Sequence, residues 1–187
     1  MTPISSPCSN KYSAVHNSGS RKVKDLQYVV IHSEEADTAE STAVWFSNPH
    51  CSASTQLAID DNICFRTLAD QLIPWGAPPL NLHGLHVEQA GYARWPKWRW
   101  MRHINTIKRT AYRTAYWCWS YNIPARFLSV NQLKELGMSP GVGKGGITSH
   151  RNVSLAFGES DHMDPGTGYP YTTFMFFVKY YLRKMKK

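Results

Sequence analysis

A chain of 187 residues, 42% hydrophobic and 13% aromatic, is long enough for one domain with a self-sufficient core. No apolar run approaches the length needed to span a bilayer, and the polar start Thr2-Pro-Ile-Ser-Ser-Pro7 lacks the charged-then-apolar pattern of a secretory signal, so synthesis in a cytosol without a signal peptide is expected. The net charge of +8 favours an acidic partner, which composition leaves open among nucleic acid, anionic membrane and anionic cell wall.

Residues 1–24 are rich in Ser, Asn, Pro and Lys and lack periodicity, which predicts an arm laid on the surface or partly disordered, with His16 solvated. The apolar run over 26–33 predicts a central strand covered on both faces. Asp37-Thr-Ala-Glu40 has capping-box spacing and opens a helix carrying Ala43, Val44 and Phe46 that must stop before Asn48-Pro49. Two β-prone runs, 54–60 and 63–68, are joined by Asp61-Asn62, which tolerates the positive φ of a hairpin turn. Residues 71–80 form a Pro-rich loop holding Trp75-Gly76.

Leu85-His-Val-Glu88-Gln-Ala-Gly91 reads as a strand with Leu85 and Val87 on one face and His86 and Glu88 on the other. From Trp98 to Tyr121, Ile104, Ile107, Ala111, Ala115 and Cys118 recur at helical spacing, predicting one long covering helix that ends at Asn122-Ile-Pro124. The basic, aromatic stretch 93–102 before it suits an anionic polymer, or equally a solvated face with its tryptophans tucked beneath. A short helix over 131–136 and the run Gly141-Val-Gly-Lys-Gly-Gly146 follow; the latter lacks the Gly-Lys-Ser/Thr of a phosphate loop and reads as a flexible rim. The chain closes on an amphipathic helix, capped by Thr172, that carries Phe174, Phe177, Val178, Tyr181 and Met185 onto the sheet. Cys8, Cys51, Cys64 and Cys118 show no Cys-x-x-Cys spacing and are read as buried or incidental thiols.

The densest chemistry lies in the loop-rich stretch Gly145-Gly-Ile-Thr-Ser-His150, continuing to Asp161-His162-Met-Asp164-Pro-Gly166. Imidazole and carboxylate donors suit a catalytic zinc site, which takes three protein ligands and leaves a fourth position open. His150 and Asp164 supply two donors, and His32, closing the strand Tyr28-Val-Val-Ile-His32, is the best-placed third.

The ordered set of an early Ile-His-Ser strand end, a late Gly-Ile-Thr-Ser-His-Arg-x-Val-Ser segment and His-x-Asp-Pro-Gly resembles the type 2 N-acetylmuramoyl-L-alanine amidases, whose zinc fold is shared with peptidoglycan recognition proteins. The likeness is greatest to bacteriophage endolysin amidase domains and covers residues 26–182. It implies an α/β domain with a central mixed β-sheet flanked by helices and a zinc site in a cleft at one sheet edge. In that family a strand Ile-Gly-Ile-Glu-Leu supplies the catalytic base, which Glu88 matches; Glu34 is a rival. His162, two before the aspartate, is implied as oxyanion donor, with metal ligand as its competing role. The matching positions for a hairpin tyrosine found in some members are Thr55 and Gln56. Trp75-Gly76 resembles the cleft-edge Trp-His-Ala-Gly with its histidine lost, so Trp75, Thr55 and Asn81 become substrate-contact candidates. The histidines at 50, 83, 86 and 103 are read as surface or packing residues, His86 being least settled because it shares a face with Glu88.

The resemblance therefore implies a zinc-dependent enzyme (Zn2+) that cleaves the amide between N-acetylmuramic acid and L-alanine in peptidoglycan. It would be a monomeric phage endolysin, residues 25–187 forming the catalytic domain without a separate wall-binding domain, with no nucleic acid as partner. It would act on the cell wall after leaving the host cytoplasm through a permeabilised membrane. A non-catalytic peptidoglycan-binding module of the same fold is the alternative, and the basic aromatic stretch leaves a nucleic-acid binder as a third.

Overall fold

The computed structural model describes residues 2–187 and shows a five-stranded mixed sheet between two layers of helices. Strand order is β3-β2-β4-β1-β5, with β1 Tyr28–Ile31, β2 Leu57–Ile59, β3 Cys64–Arg66, β4 Gly84–Gln89 and β5 Gly146–Ser149. β2, β4, β1 and β5 run parallel, and only β3 is antiparallel, to β2. Each parallel neighbour is buried on both faces, which is why β1 is apolar at every position.

Alternation sorts the core by face. Val29, Ile31, Leu57, Ile59, Leu85, Val87 and Ile147 pack beneath α3 Ile104–Ser120 and α6 Tyr171–Met185. On the other face Tyr28 and Val30 meet Leu133 of α4 Val130–Leu136 and Val153 of α5 His150–Phe157. Ala58 and Phe65 meet Ala39 and Ala43 of α1 Ala39–Phe46. α6 packs chiefly on α3 rather than on the sheet as expected, since α3 already covers the sheet's centre.

Several local expectations change. Thr38, not Asp37, caps α1 by accepting from the Ser41 amide, and Val44 points to solvent. The hairpin turn needs no positive φ, because Asp60 Oδ1 accepts from the amides of Asn62 and Ile63. The long helix is two: α2 Lys97–Arg102 and α3, broken at His103. Asp61 imposes the break, taking the Thr106 amide at 2.9 Å and His103 Nδ1 at 2.8 Å, and so caps α3 from another segment. Thr172 lies inside α6, whose cap position is Pro170. Residues 150–157, expected as loop, are helical because Ser149 Oγ caps α5 through the Asn152 amide.

The arm corrects two readings. It lies along the β3 edge, with the Ser9 amide donating to the Cys64 carbonyl at 2.7 Å and the Arg66 amide to Ser9 at 2.8 Å. That contact brings Cys8 and Cys64 together as a disulfide with Cα atoms 4.6 Å apart, so these two cysteines are not free thiols, whereas Cys51 and Cys118 are buried and free. His16 is not solvated as expected; it stacks on Trp75 at 4.8 Å and pairs with the Pro49 carbonyl.

Candidate metal centre

Parallel strands end on one edge, so the residues that follow them collect there. The registers Ile31↔Val87 and Ile31↔Ser149 set His32, just past β1, between Glu88 in β4 and His150, just past β5. Asp164 reaches the same point from the loop after α5, held by the Arg151 amide on its carbonyl at 2.9 Å and the Ser33 amide on Oδ2 at 3.3 Å. Gly166 lets that loop close: its φ is +87°, and a Cβ there would sit 1.9 Å from the Ala93 carbonyl oxygen. The Asp-Pro-Gly pattern thus has a packing requirement at its glycine besides carrying Asp164 to this point.

His32, His150 and Asp164, all buried, offer donor atoms within 4.8 Å of one another. His32 Nδ1 lies 3.3 Å from Asp164 Oδ2 and His150 Nδ1 3.1 Å from Asp164 Oδ1. A tetrahedral ion with bonds of about 2.0–2.1 Å separates its ligands by about 3.3 Å, close to both histidine–aspartate distances, so the group suits a small divalent cation such as zinc. His162 stands outside the group: its side chain is 62% exposed, its Nδ1 is 3.6 Å from Asp164 Oδ1, and its ring stacks on His150 at 4.4 Å. The geometry favours Asp164 over His162 as the third donor.

Burial sets the electrostatics. It works to raise the Asp164 carboxyl, but hydrogen bonds to His150, His162 and His32 hold it well below the usual carboxylate range. Burial pushes His150 down to about 4 against the pull of Asp164. In His32 the same penalty is outweighed by Glu88 and Asp164, which raise it. His162 rises through its bond to Asp164.

Glu88 Oε1 is 3.9 Å from His32 Nδ1, and its Oε2 is buried without a hydrogen-bond partner. Desolvation, with Asp164 adding to it and His32 opposing it, pushes the carboxyl up to about 7. Glu34, the rival base, also lines the cleft; burial and Glu88 raise it well above the carboxylate range, and neither of its oxygens has a partner in hydrogen-bond geometry.

The cleft holds about 440 Å³ and is lined by Thr42 and Trp45 of α1 and by Trp75 and Thr55. Trp75 is 37% exposed, gives its indole N–H to Ser18 Oγ at 2.8 Å and has one face covered by His16. Thr55 is buried, its hydroxyl spent on the Leu57 carbonyl. Asn81 lines an adjoining hollow, and its Oδ1 takes the Gly76 and Ala77 amides, tying down the Trp75 loop.

His86, read as surface or packing, is fully buried, and its Nδ1 shares a 3.1 Å hydrogen bond with His32 Nε2. Burial, then His32 and Arg21, push it well below the ordinary histidine range, so it is neutral. The signal was its place on the Glu88 face of the strand; Gly84 of the same strand and Gly76 of the Trp75 loop make room for its ring.

No protein-family model matches the chain, and no curated protein matches it. Solved structures do: a Staphylococcus aureus hydrolase, AmiA, in complex with its ligand (TM-score 0.72, 18% identity, 95% of this chain and 84% of that one). A mutant endolysin from Bacillus subtilis (0.56, 14%, 90% and 96%) and the N-acetylmuramoyl-L-alanine amidase LysC from Clostridium intestinale (0.51, 10%, 91% and 99%) match as well. These likenesses run over nearly the whole chain, and the fold of this protein is the one shared by those hydrolases, as its ordered motifs had implied.

Proposed function

We propose that the protein is a zinc-dependent N-acetylmuramoyl-L-alanine amidase that cuts the bond between the lactyl group of N-acetylmuramic acid and L-alanine in peptidoglycan, as a phage endolysin acting on the host wall. The observation that carries the reading is the meeting of His32, His150 and Asp164 beside a buried carboxylate, at the floor of an open cleft. The amidase and endolysin among the structures of this fold support the substrate. Residues 25–187 form the catalytic domain, and residues 1–24 are its arm. No helix among the described residues is long and apolar enough to cross a membrane. The Cys8–Cys64 bond suits work outside a reducing cytosol.

His32, His150 and Asp164 would hold the ion. Bound there, zinc supplies Lewis acidity toward the scissile carbonyl and a water nucleophile at neutral pH. Glu88 takes the proton of the attacking water and returns it to the departing L-alanine nitrogen; a carboxyl raised toward neutrality is matched to both transfers. His162, at the mouth and raised by Asp164, donates an N–H to the developing oxyanion, worth on the order of 3 kcal/mol of barrier. Trp75 and Thr55 border the cleft, and Asn81 holds the wall that carries Trp75. The test is Glu88→Gln: turnover of purified wall should fall roughly 100- to 10,000-fold with zinc content unchanged. Undiminished turnover would remove Glu88 from the reaction, and wall binding by the parent without hydrolysis would favour the binding-module alternative.

A further inference from the structure

The outer nitrogens of the two histidine donors are treated differently. His150 Nε2 meets only a part-buried hydroxyl, Ser160 Oγ, at 3.3 Å. His32 Nε2 meets another imidazole, His86 Nδ1, at 3.1 Å in a fully buried setting. We propose that His86 is a positioning residue that fixes His32 in the tautomer with Nε2 protonated, leaving the Nδ1 lone pair free to bind a divalent cation. The inference rests on the reading of His32, His150 and Asp164 as a metal site.

A neutral imidazole has one donor and one acceptor, so two paired imidazoles leave only two arrangements. In one, His32 Nε2–H donates to His86 Nδ1, and His32 Nδ1, which faces Asp164 Oδ2 at 3.3 Å, can hold a cation in place of the proton it shares with that carboxylate. In the other, His86 donates, and His32 must carry its proton on Nδ1, where a cation would have to be. The two sides of the His32 ring choose the first. Its Nδ1 is the nitrogen turned to Asp164 and Glu88, where a cation would sit, and its Nε2 is the one turned to His86. With the cation on Nδ1, the His32 proton must sit on Nε2 and His86 Nδ1 must accept it.

The ring is also clamped. Its backbone is latched on both sides by Gln56, whose side-chain oxygen accepts from the His86 amide at 2.8 Å and whose own amide donates to the His86 carbonyl at 3.1 Å. Two glycines leave just enough room: a Cβ on Gly76 would lie 2.5 Å from His86 Nδ1, and one on Gly84 2.7 Å from Nε2. The strand Ile-Gly-Ile-Glu-Leu of the resembled family has glycine where this chain has His86, and the Trp-His-Ala-Gly loop has histidine where it has Gly76.

The test uses the full chain, stripped of metal and titrated with zinc against a chromophoric chelator. His86→Leu should weaken zinc binding roughly 10- to 100-fold, as loss of an outer-shell partner does. His86→Gln, whose amide oxygen can accept from His32 Nε2–H, should restore most of it. Gly76→Ala, which drives a methyl into Nδ1, should weaken binding even if His86→Leu does not fold. In the zinc-loaded parent, nitrogen NMR should show a proton on His32 Nε2 and scalar coupling across the bond to His86 Nδ1. Zinc binding by His86→Leu as tight as the parent's, or a His32 Nε2 without a proton, overturns the assignment while leaving the metal site standing. A parent that binds no zinc overturns both.

Discussion

Replacing Glu88 by Gln in the metal-free protein isolates the cost of holding a carboxylate in this cleft. The group is raised from an ordinary 4.5 to about 7, chiefly because its buried oxygens lose water and one of them gains no partner. An acid raised on folding adds stability that is fully present below its unfolded pKa and is lost as pH climbs through the folded value. At 1.36 kcal/mol per pH unit, the parent should therefore shed about 3 kcal/mol between pH 4 and pH 8 through this one residue. Glu34, His32 and Asp164 titrate in both proteins, and because Glu88 raises Glu34 and His32, the difference reports Glu88 together with its pull on those neighbours. Urea unfolding at a series of pH values is the assay. Glu88→Gln should match the parent near pH 4 and exceed it increasingly above pH 5, levelling off beyond pH 7. Parallel profiles would mean that Glu88 is ordinarily solvated, and its fitness as a base at neutrality would lose its physical ground.

Cys8→Ser opens a covalent loop with a sequence separation of 56, for which chain entropy gives about 4 kcal/mol; denaturant midpoints with and without reductant should show that loss, with the parent falling to the variant's value once reduced. Gly166→Ala forces a side chain onto a left-handed residue against the Ala93 carbonyl, so thermal unfolding should show a loss of at least about 1–2 kcal/mol, accompanied by weaker zinc binding as Asp164 shifts. Unchanged values for either variant would contradict the packing described.

The sheet was legible because its strands carry their burial in their residues. Tyr28–Ile31 is apolar throughout and lies between two parallel neighbours, and Gly84–Gln89 alternates as a strand with two different faces must. The donor group was legible for a related reason: His32 closes the apolar strand β1, His150 follows β5, and parallel strands that end together bring their next residues together. What stayed hidden depends on partners distant in sequence. Nothing in Cys8 or Cys64 announces the other, since only the arm's path along β3 pairs them. The break at His103 is made by Asp61, which helical periodicity cannot see. His86 has the same character, because its environment is built from Gly76, Gln56 and His32, three separate stretches. Trp75 is read as a substrate-contact candidate, yet one face is occupied by an arm residue that no local pattern places there.

Metal-dependent hydrolysis at this cluster is most directly tested on the wall itself. Purified peptidoglycan incubated with the metal-free protein, with and without one equivalent of zinc, should release new free amino groups of L-alanine only when zinc is restored, and His150→Ala should abolish that release. New reducing ends in place of amino groups, or equal release from the metal-free protein and from His150→Ala, would contradict it.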